Sequence, residues 1–116
     1  MSVMEKTMRR MGMVIAVKPE KIAEYKRLHG HVWPDVLEMI RACNIRNYTI
    51  FLREPENLLF SYWEYAGEDF EADMARMAGH EPTRRWWRLT DPCQSPLESR
   101  AGDEKWSGME EVFHAG

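Results

Sequence analysis

Residues 47–65, NYTIFLREPENLLFSYWEY, predict a β-hairpin. In Asn47–Arg53 the side chains Tyr48, Ile50 and Leu52 alternate with Thr49 and Phe51. A period of two is typical of a strand. The four residues Glu54–Asn57 that follow are rich in turn formers. Leu58–Tyr65 is again aromatic and apolar, so it forms the second strand of the hairpin.

A strand and a helix are predicted upstream of the hairpin. Met11–Val17 is a short run that contains Val and Ile and is typical of a strand. A helix begins at Lys18–Glu20, because Pro19 suits its first turn. At 100° per residue, one stripe of this helix carries the following side chains: Ile22, Tyr25, His29, Val32, Trp33, Val36 and Ile40. Pro34 interrupts the pattern, so we expect a kink or two helical pieces.

Downstream of the hairpin the sequence predicts helix, loop and strand in turn. Asp69–Ala78 is a helix with Asp69 as its N-cap, and Glu81–Leu89 is a second helical piece. Thr90–Gly108 contains Pro and Gly without periodicity and is expected to be a loop. Met109–His114 returns to the alternation of a strand.

The resulting order, βαββαβ, predicts an α+β fold of the ferredoxin-like type, a four-stranded antiparallel sheet with helices on one face. Residues 1–10 are expected to be a flexible N-terminal arm, and residues 11–116 a single domain. Both faces of the strands are apolar, as Val14 next to Ile15 illustrates. A sheet covered on one side is normally polar on the other, so we expect a second subunit to cover the second face.

The composition excludes several classes of protein. The 116 residues carry 16 Lys and Arg against 19 Asp and Glu, and the net charge of -3 argues against a nucleic-acid binder. The apolar run Met13–Val17 is too short to span a membrane. Two cysteines, Cys43 and Cys93, make no disulfide framework or zinc motif, so we expect a cytoplasmic protein with reduced thiols.

Tyr25 and His29 are the leading candidates for chemistry. Their spacing of four residues makes them neighbours on the predicted helix, inside its apolar stripe. A histidine can both take and give a proton near neutral pH, and a tyrosine can orient it or bind a ligand. The structural alternative is a core histidine whose ring is satisfied by the tyrosine hydroxyl.

Two further groups could line a site. Trp86 and Trp87 are adjacent on a helix, so their rings point about 100° apart and cannot both enter one core. One is expected to be buried and the other to form a platform for a sugar, or simply an exposed edge. Glu64 follows Phe60 and Tyr62 at strand spacing and is expected to point inward, where a carboxylate is costly without a partner.

The remaining motifs give no support for a bound cofactor. His31, His80 and His114 form no pattern of metal ligands with one another or with cysteine. The sequence also contains no glycine-rich phosphate loop and no nucleophile elbow. We therefore expect neither a metal nor a nucleotide.

Taken together, six motifs resemble those of the L-rhamnose mutarotases: Tyr25-x3-His29-x3-Trp33-Pro34-Asp35, Asn47-Tyr48-x-Ile50, Asn57–Phe60, Arg85-Trp86-Trp87, Thr90-Asp91 and Glu111–Phe113. The resemblance covers Met11 to His114. It implies a cofactor-free homodimer, a dimeric α/β barrel, that interconverts the α and β anomers of an L-sugar. It further implies that His29 is the proton donor and that Tyr25, Tyr48, Trp86 and Trp87 contact the sugar.

The resemblance leaves the sugar open. The segment Thr90–Gly108 departs from the rhamnose pattern before Ser95-Pro96 and is longer after it, so L-fucose or another 6-deoxy sugar is an alternative to L-rhamnose. Two other classes use the same fold. One is a monooxygenase or haem-handling enzyme, with a histidine as axial ligand, and the other is a small-ligand-binding domain without turnover.

Overall fold

The computed structural model describes residues 8–116, in which an antiparallel sheet is covered on one face by four helices. Strands β2, β3 and β1 are neighbours in that order, and β4 and β5 both pair with the free edge of β1. The strands are β1 (Arg9–Val17), β2 (Ile45–Arg53), β3 (Leu58–Tyr65), β4 (Gln94–Ser95) and β5 (Ser107–Met109). The helices are α1 (Ile22–His29), α2 (Pro34–Ala42), α3 (Phe70–Ala78) and α4 (Glu81–Thr90).

The predicted ferredoxin-like α+β fold is confirmed, and its hairpin has the expected turn. β3 has the predicted bounds, whereas β2 begins two residues earlier, at Ile45. The register of β2 against β3 shifts between Arg46 and Thr49, an irregularity that turns the intervening side chains relative to the sheet. Asp69 is the N-cap of α3 as predicted, since its side chain accepts a hydrogen bond from the Ala72 backbone nitrogen.

The C-terminal prediction is wrong in its details. β4 pairs with Ala16 and Val17, whereas β5 pairs with Gly12–Val14, so the fourth strand of the sheet is split into two short pieces along one edge. The predicted loop Thr90–Gly108 therefore contains a 3₁₀ turn at Asp91–Cys93 and β4. The predicted strand Met109–His114 retains only Met109.

Pro34 separates two helices rather than kinking one. α1 ends at His29, and Pro34 is the first residue of α2, the position where a missing N–H costs nothing. Trp33 precedes it in an extended conformation, with φ -65° and ψ 138°, as the residue before a proline prefers. The short connection between the helices places His29 and Trp33 near each other at one end of the sheet.

The two faces of the sheet differ in cover. The inner face carries Ile15, Val17 and Leu59, which form a buried cluster with Tyr25. The helices do not cover the outer face, where Val14, Phe60 and the 62% exposed Phe51 lie on neighbouring strands. The prediction that this face is apolar holds for that strip only, because Arg10 and Glu64 lie on the same face.

The first strand begins earlier than predicted. Arg9 and Arg10 belong to β1, so the strand begins two residues before the predicted Met11. Of the rest of the predicted N-terminal arm, Met8 precedes the strand and is exposed, and residues 1–7 lie outside the described residues. Between residues 8 and 116, no helix has the length and apolar character needed to cross a membrane.

Candidate active site

A cleft of about 1250 Å³ lies between the inner face of the sheet and the helices. Its lining includes all five side chains singled out in the sequence: Tyr25, His29, Tyr48, Trp86 and Trp87. They come from three elements, α1, β2 and α4, which meet at this cleft. A largely apolar cleft with a few convergent polar groups is the usual form of a small-molecule site.

The His29 ring is held by the backbone of its own helix. Its Nδ1 lies 3.0 Å from the Tyr25 carbonyl oxygen, which can only accept a hydrogen bond. Nδ1 therefore carries a proton and donates it to this carbonyl, which leaves Nε2 as the ring nitrogen that can contact a ligand. The Tyr25 ring lies against the imidazole with centroids 4.3 Å apart, but it is the carbonyl and not the hydroxyl of Tyr25 that fixes the histidine.

The Tyr25 hydroxyl has another partner. The Gln94 amide nitrogen donates to it over 3.2 Å, and both side chains are buried. Burial raises the pKa of Tyr25 well above its usual value of 10, although the Gln94 hydrogen bond acts in the opposite direction. Tyr25 is therefore a neutral hydrogen-bonding group at neutral pH.

Tyr48 reaches the cleft because it shares the inner face of β2 with Ile50 and Leu52, at a spacing of two residues. Its ring centroid lies 6.3 Å from that of Trp63, on the inner face of the sheet. The Tyr48 side chain lines the cleft and is 43% exposed, and desolvation raises its pKa above the usual value of 10. A negative charge on Tyr48 would raise the pKa of Tyr25 further, so the two tyrosines are electrostatically coupled.

The two tryptophans separate as their helical spacing predicts. Trp86 is 6% exposed, and its ring meets the rings of His29 and Trp33 edge to face, with centroids 5.5 and 5.3 Å apart. Trp87 is 36% exposed and lines the cleft from the same helix. Trp86 therefore supports the histidine, whereas Trp87 offers an open aromatic surface.

A charged group on the lining was not predicted from the sequence. Asp91, at the end of α4, accepts an ion-paired hydrogen bond from Lys105, and both line the cleft beside Glu104. The Asp91 charge also contributes to the raised pKa of Tyr25, after desolvation by burial. Asp91 belongs to one of the motifs that resemble the mutarotases. Lys105 lies in a segment without periodicity, so the sequence did not predict that it would line the cleft.

The prediction that Glu64 points inward is wrong. Along β3 the inward side chains are Leu59, Ser61, Trp63 and Tyr65, so Glu64 lies on the outer face. There it accepts hydrogen bonds from the Tyr62 hydroxyl at 2.7 Å and the Asn47 amide at 2.8 Å. These hydrogen bonds hold the pKa of Glu64 below its usual range.

None of the other histidines of residues 8–116 lines the cleft. His80 is 2.8 Å from the Thr83 hydroxyl at the start of α4, and His31 and His114 are exposed. Within residues 8–116, no group of three or more His, Cys, Asp or Glu side chains is arranged to hold a metal ion. The two cysteines, Cys43 and Cys93, are free and buried.

This arrangement suits proton transfer on a small polar ligand. One imidazole nitrogen can take and give a proton, two tyrosine hydroxyls can bind oxygen atoms, and the tryptophans form an apolar wall. A ligand with hydroxyl groups on one side and an apolar group on the other would match these walls.

Comparison with known proteins finds L-rhamnose mutarotases both by family model and by sequence identity. The family model described as L-rhamnose mutarotase matches residues 10–115. The L-rhamnose mutarotase of Oceanobacillus iheyensis is 31% identical over 108 residues, which is 92% of this chain and 98% of that protein. That of Mannheimia succiniciproducens is 32% identical over 111 residues, with 90% and 96% covered.

A solved structure supports the fold. The crystal structure of the L-rhamnose mutarotase from Formosa agariphila superposes with a TM-score of 0.73 and covers 93% of this chain and 99% of its own. Its sequence identity is 20%, so this likeness is evidence for the fold alone.

Proposed function

We infer that this chain, which belongs to the L-rhamnose mutarotase family, interconverts the α and β anomers of L-rhamnose and is therefore an isomerase. The single observation that carries the proposed site is His29, whose Nδ1 donates to a backbone carbonyl and whose Nε2 is left to exchange a proton inside the cleft.

The proposed reaction moves one proton between two oxygens of the sugar. The anomeric hydroxyl gives its proton to a base, the bond between C1 and the ring oxygen breaks, and the ring oxygen receives a proton. Rotation about the C1–C2 bond of the open aldehyde then lets the ring close on the other face. His29 Nε2 serves as the acid and base, and such general acid–base catalysis contributes roughly 10²–10⁴ in rate.

The other four side chains hold the sugar. Tyr25 and Tyr48 orient its hydroxyl groups, because both remain neutral and can hydrogen bond within the cleft. Trp86 and Trp87 form the apolar wall, against which the C6 methyl of a 6-deoxy sugar packs. This chemistry calls for neither a metal nor a nucleotide.

The choice between 6-deoxy sugars depends on hydroxyl contacts rather than on the wall. One buried methyl or methylene group is worth only about 1–3 kcal/mol of discrimination. A hydroxyl that leaves a buried polar group unpaired costs the full desolvation of that group. Asp91 and Lys105 provide an acceptor and a donor on the lining of the cleft, so we assign the sugar preference to them and to the tyrosines.

Anomer exchange of L-rhamnose, or of L-fucose, is expected to be accelerated by the protein, with at most weak action on D-glucose. The reason is that D-glucose carries a hydroxyl at C6, which the tryptophan wall cannot pair. Saturation-transfer NMR across a panel of L- and D-sugars measures the exchange rates directly.

Two results of this panel would count against the proposal. Fastest exchange of D-glucose or D-galactose would overturn the role of the wall, although the chemistry of His29 would survive. Binding of L-rhamnose without any acceleration would instead identify a non-catalytic binding domain.

A homodimer in the cytoplasm completes the proposal. On the outer face Val14, Phe60 and Phe51 lie opposite one another across three neighbouring strands, and an uncovered apolar surface of this kind marks an interface. A second copy packed sheet against sheet would cover it with an isologous contact. The free thiols of Cys43 and Cys93 fit a reducing compartment.

Sedimentation of the wild-type protein at micromolar concentration is expected to give twice the mass of one chain. Phe51→Glu should give monomers, because it places a charge on the apolar strip without disturbing a buried side chain. Leu89→Glu is the matched control, since Leu89 is also exposed but lies on α4. A wild-type monomer, or equal dissociation of the two variants, would show that the outer face is not the interface.

A further inference from the structure

We propose that Gln94 is a positioning residue for the reaction, because its amide turns the hydroxyl proton of Tyr25 toward the cleft. This inference rests on the proposed function, in which Tyr25 binds the sugar. Gln94 itself acts only through Tyr25. Its role is to decide whether the tyrosine donates or accepts a hydrogen bond when the sugar enters.

The amide of Gln94 is fixed in place by its surroundings. Its strand, β4, pairs with Val17 of β1, and the preceding carbonyl of Cys93 accepts a hydrogen bond of 2.8 Å from the Lys18 backbone nitrogen. The side chain is 9% exposed. A donor held by a paired strand and buried in this way has little freedom to turn away from Tyr25.

The chemistry of a hydroxyl group then sets the direction of the bond. A tyrosine hydroxyl has one proton to donate and can also accept. The Gln94 N–H already donates to the Tyr25 oxygen, so the proton of Tyr25 must point to a different partner. Because burial keeps Tyr25 protonated by raising its pKa, that proton is available to a ligand in the cleft.

A fixed donor constrains how a sugar can bind. The ring oxygen of a pyranose has no hydrogen and can only accept, whereas each hydroxyl group can do either. Tyr25 therefore orients the sugar by presenting a donor to an acceptor oxygen near His29, whose ring lies against its own. If the amide were replaced by an acceptor, the Tyr25 proton would turn back into the protein and the orientation would be lost.

Two substitutions of Gln94 by side chains of nearly equal size test whether its amide must donate a hydrogen bond to Tyr25. Gln94→Met removes the donor, and Gln94→Glu replaces it with a carboxylate that attracts the Tyr25 proton. We expect kcat/KM for anomer exchange to fall about tenfold for Gln94→Met, the effect of one hydrogen bond of ordinary strength, and further for Gln94→Glu. Ser95→Ala, at the exposed neighbour on the same strand, is the control and should keep wild-type kcat/KM.

The decisive measurement repeats these substitutions in a Tyr25→Phe background. There the penalties of Gln94→Met and Gln94→Glu should vanish, since the amide has no hydroxyl to orient. Penalties of the same size in that background would mean that Gln94 acts only in packing and would overturn the proposal, as would wild-type kcat/KM in both single variants. An inactive wild-type protein would instead refute the proposed function, so the two failures are distinguishable.

Discussion

Replacement of His29 by alanine is expected to lower the catalysed rate of anomer exchange by a factor of about 10²–10⁴, which is the usual contribution of a general acid–base group. The fold should survive, because His29 is half-buried in the last turn of α1 and alanine is the best helix former. Saturation-transfer NMR on L-rhamnose gives the rate, and circular dichroism with a thermal melt gives the state of the fold.

His80→Ala and His114→Ala are the matched controls for this prediction. His80 contacts Thr83 at the start of α4, and His114 is exposed near the C-terminus, so neither should change the rate appreciably. Anomer exchange close to wild type in His29→Ala would contradict the mechanism. An equal loss in all three variants would also contradict it, because the effect would then not be specific to the residue in the cleft.

Local patterns were sufficient to predict most of the fold. The period-two alternation of residues 47–65 and the turn at Glu54–Asn57 determine the hairpin without any long-range information. Pro34 likewise marks a helix boundary through its own geometry. The prediction of the fourth strand failed because β4 and β5 are only two and three residues long and form through pairing with β1. The alternation of Met109–His114 was misleading, because pairing with the distant β1 and not the local period determines where this strand lies.

The site residues that could be predicted are those placed by local spacing, whereas contacts between distant parts of the chain could not be predicted. Tyr25 and His29 follow from the four-residue spacing of one helix, and the different exposures of Trp86 and Trp87 follow from their adjacency on another. Gln94 was missed because its contact with Tyr25 joins residues 69 positions apart in the chain.

The error on Glu64 has a different cause. The period of β3 correctly placed it on the same face as Phe60 and Tyr62, but that face is the outer one. Both faces of the strand are apolar, so hydrophobicity alone could not decide which of them the helices cover. The choice is made by the packing of the helices on the inner face.

The two tryptophans are expected to separate stability from binding. Trp86→Ala should lower the free energy of unfolding by about 3–5 kcal/mol, because the lost ring is buried and packs on His29 and Trp33. Trp87→Ala should cost far less, since the Trp87 side chain is more than a third exposed. Urea unfolding of the two variants measures this difference.

The effect of Trp87→Ala is expected on activity and not on stability. Trp87→Ala is expected to keep its fold and lose kcat/KM for L-rhamnose, since its ring forms the open part of the wall that packs on the C6 methyl. Its exchange of D-glucose should change little, because that sugar gains nothing from the apolar surface. If Trp87→Ala retained wild-type kcat/KM for L-rhamnose, then Trp87 would be an exposed edge of the helix. The wall would then consist of Trp86 alone, which anchors the histidine as well as the sugar.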